Sequence, residues 1–444
     1  MDRPAGSPSH RLSSHSITPH SAGSSMTRRD IWRDALATAR KAIEDSGVAA
    51  VQIAAIGITN QRETAVVWDR ATGEPIHRAI VWQDRRGTEL CQTLKADGVE
   101  DLVRERTGLL IDPYFSATKL AWLLDHVEGA RGRAERGRAG VRHDRQLPAL
   151  AADRRAVHAT DITNASRTML FDIHRGVWDE ELCRLLRVPM AMLPDVHDNA
   201  HVFGTTTPDL LGAAIPIAGM AGGPAGRIHR LLTTPAYRLN GRTTYALEGS
   251  IFVAGAAVKW LRDGLGVITH ASQTDDLATQ VPDSHGVYMV PAFVGMGAPY
   301  WEPDARGAIY GLTLGASAAH LARAALESVA YQTMDLAEAM KADAGEGPAI
   351  LRVDGGMAAN DWLCRFLANM IQTPVERPAD LETTARGAAF HAGLATGVWS
   401  GLDALEQLWS REACFEPGMA GDARAPLVAG WRDAVARTLA KPVA

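Results

Sequence analysis

The clearest hydrophobic pattern in the chain is the apolar run 53–58, which is followed by four polar side chains, Asn60, Gln61, Arg62 and Glu63. The run shows no alternation of apolar and polar positions, so it predicts a central strand covered on both faces. Ligands of open α/β sheets bind at the carboxyl ends of strands. An Arg beside a Glu can hold neighbouring hydroxyls of a small polyol, although a solvated pair on a loop explains the same residues.

Helical and strand-like patterns alternate along the rest of the chain. The predicted helices are 30–46, 89–107, 119–126, 178–186, 360–371, a long helix through Leu321 and Met340, one beginning near Thr384 and one containing Trp431. The predicted strands are 65–69 and 79–82, joined as a hairpin by a turn at 71–74, and then 215–220, 288–293 and 351–354. Residues 161–171 are predicted to form a loop and a strand.

Two glycine turns precede predicted helices. Gly355 and Gly356 separate the strand 351–354 from the helix 360–371, and Gly255 precedes a segment that becomes helical. Glycine lets the backbone approach a phosphate or an adenosine closely, and a helix N-terminus favours negative charge. A tight connection without any ligand explains each turn equally well.

Two aromatic residues, Trp82 and Tyr114, follow apolar segments in the half of the chain that carries Arg62 and Glu63. An aromatic wall beside a polar pair is a common way to grip the carbon face of a polyol together with its hydroxyls. Aromatic residues at such positions more often belong to the core or its rim, so the pattern alone leaves both interpretations open.

Composition narrows the class of protein. A chain of 444 residues exceeds one ordinary core and predicts two large domains. The formal net charge of -5 gives no sign of a nucleic acid or an anionic membrane as partner, and no apolar run approaches the roughly 18 residues that cross a bilayer. The four cysteines include no CxxC pair, which argues against zinc and fits a reducing cytoplasm. Residues 1–25 lack the apolar segment of a secretory signal and are expected to be disordered.

The stretch 131–155 breaks the pattern. It contains eight arginines among glycines and alanines, with no apolar period of 2 or 3.6 residues. Such a stretch is not expected to bury a face. A structureless loop of this length inside a compact domain is unusual.

Ten segments carry a resemblance to a known family. They read GITNQRET, VWQDRR, TGLLIDPYFSATKLAWLLDHVEG, TDITNASRTMLF, YALEGSIF, VPAFVGMGAPYW, ARGAIYGLT, LESVAYQT, LRVDGGMAAN and TPVERP. Together they resemble the glycerol kinases, within the FGGY family of carbohydrate kinases, from Asp30 to about Trp431. Several segments are long enough to make a chance match implausible.

The resemblance implies an α/β chain with two actin-like, ribonuclease-H-like domains around a cleft, the N-terminal one incomplete. Residues 1–29 would precede a polyol-binding domain at 30–222 and a nucleotide-binding domain at 223–444. The implied reaction is the phosphorylation of glycerol to glycerol 3-phosphate by ATP with Mg²⁺ in the cytoplasm. Dimers or tetramers are common in this family, so an assembly of two or four copies is also implied.

The resemblance also assigns residues. Four match the positions that hold glycerol, the last as an aromatic wall: Arg62, Glu63, Tyr114 and Trp82. Four match positions on the nucleotide side: Gly255, Lys259, Gly356 and Asn360. Lys259 departs from the family, which usually has a glutamine there, and no residue is assigned to a metal.

Several family features have no counterpart in this sequence. Residues 1–29 stand in place of an opening strand and a phosphate loop of the DQGTTSSRA type. The family's GxxGDQQ segment carries the general-base Asp, but here Gly222 is followed by Gly223 and Pro224, and a later GTG phosphate turn is missing. Residues 131–155 replace an ordinary strand and a Trp-containing segment, as a reading frame that slipped and recovered would. A regulatory Gly-Arg loop has no match in 207–215, which predicts no inhibition by a sugar bisphosphate.

These departures leave three hypotheses. The chain is a working glycerol kinase, or a catalytically inactive pseudokinase or binding relic without the phosphate loop and the general base. The third is a sequence that contains frameshifts absent from the natural protein.

Overall fold

The computed structural model describes residues 25–26, 28–143, 158–221, 231–345 and 347–440. By their contacts, these residues fall into two compact units. The first unit takes those within Met1–Gly226, Leu232–Glu248 and Thr384–Leu408, and the second takes those within Arg227–Leu231, Gly249–Thr383 and Trp409–Ala444. The domain boundary near residue 223 remains a prediction, while the contacts place 232–248 with the first unit.

The described residues up to Glu248 form these elements: β1 (Ser25–Met26), α1 (Arg28–Ser46), β2 (Ile56–Thr59), β3 (Ala65–Asp69), β4 (Ala79–Ile80), α2 (Thr88–Ala96), α3 (Glu100–Thr107), α4 (Ser116–His126), α5 (Ala130–Glu135), β5 (Ala139–His143), β6 (Ala159–Asp161), α6 (Ile162–Ala165), β7 (Phe171–Asp172), β8 (Val177–Trp178), α7 (Glu180–Leu185), β9 (Asp195–His197), β10 (Val202–Thr205), α8 (Pro208–Leu211), β11 (Pro216–Ala221), β12 (Leu232–Leu239) and β13 (Arg242–Glu248).

The later elements are α9 (Gly255–Asp263), α10 (Gln273–Gln280), β14 (Tyr288–Val290), β15 (Ala308–Tyr310), α11 (Ala318–Ala344), β16 (Leu351–Arg352), α12 (Asp361–Ile371), β17 (Val375–Pro378), α13 (Thr383–Ala395), α14 (Leu402–Glu406), β18 (Arg411–Phe415) and α15 (Gly421–Leu439). Short 3₁₀ turns lie at Ala50–Gln52, Ser166–Thr168, Met190–Met192 and Gly356–Ala359.

Two larger sheets organise the first unit. One has the strand order β1-β4-β3-β5, and the other has the order β10-β11-β2. Strands β11 and β2 run parallel, and Ala221 pairs with Thr59 at their carboxyl ends. The polar residues after β2 therefore begin at the edge where parallel strands end, as the sequence predicts.

β2 is not the central, fully covered strand that the apolar run predicts. It begins at Ile56 rather than Ile53, its four residues are only half-buried, and it lies at the edge of the sheet that the described residues form. Ile56 packs against a cluster that includes Ile215, and Ile58 packs against a cluster that includes Phe203 of β10. The run lacks alternation because its opposite face carries Gly57, which a helix covers without any side chain between them.

Helix α13 lies directly against β2 and β11 at two glycines. A Cβ at Gly57 would lie 2.1 Å from the carbonyl oxygen of Ala388, and a Cβ at Gly219 would lie 2.3 Å from the amide nitrogen of Ala392. Gly219 also has a φ of +90°, which side-chain-bearing residues rarely adopt. Only glycine permits this approach, so the backbone contact fixes 384–395 to the first unit.

Most predicted helices are confirmed to within a few residues, and the hairpin 65–82 is confirmed by the antiparallel pairing of β3 with β4. The single helix predicted at 89–107 is wrong, because Gly98 adopts a φ of +73° and separates α2 from α3. The loop predicted after residue 161 is instead α6 and a 3₁₀ turn. Asp161 starts that helix by accepting a hydrogen bond from the amide of Thr163 at 3.0 Å.

The Arg-rich stretch is ordered and partly buried over its first half, which corrects the prediction that it buries no face. Strand β5 pairs with β3 from Ala139 opposite Asp69 to His143 opposite Ala65. The buried side chains of this stretch in the described residues are small or apolar: Ala134, Ala139 and Val141. These side chains point inward between the arginines. They are too few to produce a recognisable helical or strand period in the sequence. Residues 144–157 lie outside the described part of the chain.

The second unit has a two-stranded sheet, β14-β15, and a three-stranded sheet of order β16-β17-β18. Its core includes Tyr331 of the long helix α11, which stacks on the fully buried Trp431 of α15 with 5.4 Å between ring centroids. Strand β16 is shorter and more exposed than predicted. Across the described ranges, every helix is too short or too polar to cross a bilayer.

Candidate functional site

Glu63 occupies a strained, buried turn immediately after β2. Its side chain and backbone are only 2% exposed, and its φ is 59°, in the left-handed region that residues other than glycine rarely adopt. Such backbone strain is concentrated at functional sites, where surrounding contacts stabilise it. Arg62 precedes it in the same turn, so both members of the predicted pair lie at the carboxyl end of β2.

Neighbouring segments supply two further charges. Arg167, in the 3₁₀ turn after α6, donates from Nε to Glu63 Oε1 at 2.6 Å and from Nη2 to Glu248 Oε1 at 3.0 Å. Arg62 donates from Nη1 to Glu248 Oε2 at 3.3 Å. The four side chains Glu63, Arg167, Glu248 and Arg62 thus alternate in charge, and we call them the charge tetrad.

The carboxylates of the tetrad stabilise the charge on its two guanidinium groups. Burial alone would lower the pKa of Arg167, but the nearby carboxylates of Glu248 and Glu63 outweigh it and raise that pKa. Burial alone would also lower the pKa of Arg62, but the combined attraction of its negative neighbours, Glu248 first among them, raises it. Each buried charge therefore has an opposite partner, as buried charges require.

Two aromatic rings extend the tetrad on one side. The guanidinium carbon of Arg167 lies 5.7 Å from the ring centre of Tyr114, and Trp82 meets Tyr114 edge to face with 5.8 Å between ring centroids. Tyr114 is buried, and Trp82 is half-buried. The structure therefore brings Arg62, Glu63, Trp82 and Tyr114 into one connected cluster, although sequence separates them widely.

The loop that carries Tyr114 is held by buried charges. Asp112 Oδ1 accepts hydrogen bonds from the amide of Tyr114 at 2.8 Å and from Arg85 Nη1 at 2.9 Å. Lys119 of α4 donates from Nζ to the carbonyl oxygens of Pro113, Tyr114 and Phe115 at 2.9, 2.5 and 3.2 Å. Burial lowers the pKa of Lys119 to about 8. These contacts fix the Tyr114 ring beside the tetrad.

Sequence reasoning missed Arg167 and Glu248. Both lie inside the resembling segments TDITNASRTMLF and YALEGSIF, yet neither was singled out. A detectable signal is their position: Arg167 directly precedes the buried residues 168–171, and Glu248 ends β13. Because the residues next to Arg167 are buried, its charged side chain is expected to be buried as well and to pair with a charge of opposite sign.

The second unit brings together three of its four predicted residues. A Cβ at Gly255, the first residue of α9, would lie 3.5 Å from the sulfur of Met357, in the 3₁₀ turn that begins at Gly356. Asn360 ends that turn and caps α12, accepting a hydrogen bond from the amide of Leu363 at 2.7 Å. The start of α9 and the glycine turn therefore lie side by side.

Lys259 differs from these three. It lies one turn beyond Gly255 on α9, its side chain is 68% exposed, and Nζ pairs with Asp263 at 2.5 Å. Its ammonium group is thus engaged along its own helix.

The glycine turn fits an anionic ligand. Gly355 has a φ of +78°, and a Cβ built on it would meet nothing within 4 Å, so open space borders the backbone. The amides at the starts of α9 and α12 lie beside this turn and favour negative charge. Among the described residues, no group of three or more His, Cys, Asp or Glu side chains is placed to hold a metal ion.

Comparison with known proteins gives consistent results. A model of the N-terminal domain of the FGGY family of carbohydrate kinases matches residues 8–224, and a model of the C-terminal domain matches 224–396. The chain is 56% identical over 445 residues to a glycerol kinase of Gluconobacter oxydans, covering 92% of this chain and 86% of that protein. It is 53% identical over 452 residues to a glycerol kinase of Methylobacterium nodulans, covering 93% and 90%.

Solved structures agree. The glycerol kinase of Plasmodium falciparum with ADP is 32% identical, with a TM-score of 0.80 over 97% of this chain and 93% of that one. A ligand-bound xylulose kinase from Lactobacillus acidophilus is 19% identical, with a TM-score of 0.77 over 96% and 92%, which shows the fold alone.

The Lys119 contacts generate a stability prediction. The variant Lys119→Met leaves the carbonyl oxygens of 113–115 without their shared donor in a buried site, so we expect it to lower the free energy of unfolding by about 2–4 kcal/mol. Urea denaturation of both proteins measures the difference. The matched control is Lys95→Met on the exposed side of α2, which should change the free energy of unfolding by less than about 0.5 kcal/mol. Equal losses in the two variants would contradict the role of Lys119.

Proposed function

The chain belongs to the FGGY family of carbohydrate kinases, and we propose that it catalyses the ATP-dependent phosphorylation of glycerol to glycerol 3-phosphate. The fold is the two-domain, actin-like fold of that family. Relatives that are glycerol kinases share about half of their residues with this chain over most of its length, and no comparison favours an inactive protein.

The observation that carries the proposal for this site is the joining of Arg62, Glu63, Trp82 and Tyr114 into one cluster. In this proposal, Glu63 accepts hydrogen bonds from glycerol hydroxyls and Arg62 donates to their oxygens. Trp82 contacts the carbon chain, and Tyr114 offers its hydroxyl at the same cluster. The strained turn holds the carboxylate in place before substrate arrives, which lowers the entropy cost of orienting glycerol.

The second unit supplies the proposed nucleotide site. ATP brings the phosphoryl group that is transferred. The glycine turn at Gly356 and the start of α9 at Gly255 allow close approach of the nucleotide, with Asn360 and Lys259 beside them. Mg²⁺ is usually bound by one or two carboxylates plus substrate phosphates and water, so we propose that it arrives with ATP rather than in a protein cage.

The proposal also covers the cellular location and the number of copies in the assembly. The four cysteines are free thiols, which supports a reducing cytoplasm as the site of action. An assembly of two or four copies stays a prediction.

The activity test is a coupled assay of glycerol-dependent ADP formation. We expect turnover by the wild-type chain and a loss of about 10- to 100-fold in kcat/KM for Glu63→Gln, because hydrogen bonds to charged groups contribute roughly 1.5–3 kcal/mol. Glu74→Gln, in the exposed turn after β3, is the control and should leave kcat/KM unchanged. A wild-type protein that binds glycerol in calorimetry but never forms ADP would support the inactive alternative instead.

The rate generates a separate prediction. Gly223 stands where the resemblance places the general-base Asp, and it lies outside the described residues. A general base contributes about 10²- to 10⁴-fold to such a reaction. We therefore expect Gly223→Asp to raise kcat by at least tenfold in the same assay, with KM for glycerol little changed. An unchanged kcat would mean that another group accepts the proton.

The nucleotide site is tested at Gly255. A Cβ there makes an ordinary contact with Met357, so Gly255→Ala should leave thermal stability nearly unchanged. If the nucleotide lies against this backbone, the added methyl group should weaken ADP binding by at least tenfold in calorimetry. Gly387→Ala in α13, where a Cβ meets nothing within 4 Å, is the matched control and should not change ADP affinity. Wild-type affinity in Gly255→Ala would remove Gly255 from the site.

A further inference from the structure

We propose that Arg167 is the positioning residue of the polyol site: its guanidinium holds the Glu63 carboxylate directly and the Arg62 guanidinium through Glu248. The inference rests on the proposed function for its effect on glycerol, but the placement of charges can be tested without glycerol. Arg167 contributes no assigned substrate contact and acts through its neighbours.

The geometry shows why one side chain controls both members of the pair. Glu63 comes after β2, and Glu248 ends β13, so their carboxylates come from segments far apart in sequence. Arg167 is fully buried between them and bonds to one with Nε and to the other with Nη2, at 2.6 and 3.0 Å. Glu248 then uses its second oxygen to accept from Arg62 at 3.3 Å. Removing Arg167 breaks the middle of this chain.

An arginine is required by the shape of the site. Nε and Nη2 lie in one rigid plane, so a single side chain can donate to two separate carboxylates in fixed directions. The guanidinium carbon also lies 5.7 Å from the ring centre of Tyr114 and 5.3 Å from that of Phe115, within the range of cation–π attraction. A lysine retains the charge but cannot make this planar contact.

The charges around Glu63 determine how the site responds to the loss of Arg167. Arg62 and Lys119 remain as positive neighbours of Glu63, and Tyr114 and Glu248 are its other titratable neighbours. Burial already lowers the pKa of Lys119 to about 8, so its compensation fades in alkaline solution.

Without Arg167, the buried carboxylates of Glu63 and Glu248 have less positive charge close to them. Their mutual repulsion and their burial disfavour two negative charges, so the loss of Arg167 favours protonation of one of the two. A protonated Glu63 accepts hydrogen bonds poorly, so glycerol binding in such a variant should strengthen as pH rises. A substitution that only destabilised the fold would not create this pH dependence of glycerol binding.

The experiment compares Arg167→Met and Arg167→Lys with wild type, using kcat/KM for glycerol and calorimetric glycerol affinity from pH 6 to 9. We expect Arg167→Met to lose about 100-fold or more in kcat/KM at pH 7, mainly through KM, and to recover part of it at higher pH. Arg167→Lys keeps a positive charge, so it should lose less and show a flatter profile. The matched control is Arg106→Met, which removes bonds of 3.0 and 2.9 Å to the buried Asp179 outside the tetrad. It should keep the wild-type pH profile.

A second readout needs no substrate. A carboxyl pKa raised in the folded state means that the folded protein binds more protons than the unfolded chain between pH about 4.3 and the raised pKa. The urea stability of Arg167→Met should therefore fall, relative to wild type, as pH rises through that window.

The outcomes are distinguishable. A folded Arg167→Met with the wild-type pH profile in both readouts overturns the inference. If Arg167→Met does not fold, wild-type KM and affinity in Arg167→Lys overturn it. A wild-type chain that binds no glycerol, combined with the expected stability shift in Arg167→Met, refutes the proposed function while supporting the placement of charge by Arg167.

Discussion

The buried guanidinium of Arg167 is the interaction on which the first unit's site depends. It joins the turn after β2 to the end of β13, and the aromatic ring of Tyr114 packs against it. Burying four charges is costly unless each is paired, and here the signs alternate so that every charge has a partner. The same ion pairs hold each side chain of the tetrad in a fixed orientation. A carboxylate held in this way is ready to accept hydroxyl hydrogens without first reorganising.

Much of this site could be predicted because its parts obey local rules. The polar run after an apolar strand indicated Arg62 and Glu63, and the aromatic positions after apolar segments together with the resemblance indicated Trp82 and Tyr114; the structure joins all four. The tetrad as a whole could not be predicted from spacing, because Arg167 and Glu248 lie far from β2 in sequence. Pairing between charges is a property of the folded chain. The sequence patterns around Arg167 and Glu248 therefore do not predict which charges pair.

The errors in the predicted fold have physical causes as well. The run 53–58 lacks alternation because Gly57 takes a face that a helix backbone covers, so it was mistaken for a central strand. The Arg-rich stretch hides buried positions because β5 buries small side chains between its arginines. In the second unit, prediction succeeded better: a strand, two glycines and a capped helix form a local unit, and the structure contains those elements in that order.

The contact of α13 with Gly57 and Gly219 has a consequence for synthesis. The chain leaves the first unit after Glu248, forms most of the second, and returns to the first only at residue 384. A helix that meets β2 and β11 backbone to backbone cannot be replaced by solvent or by another side chain. The first unit therefore stays uncovered on that face until the ribosome has released the chain beyond residue 395. A chain truncated before residue 384 would lack this helix and would leave that face of the first unit uncovered.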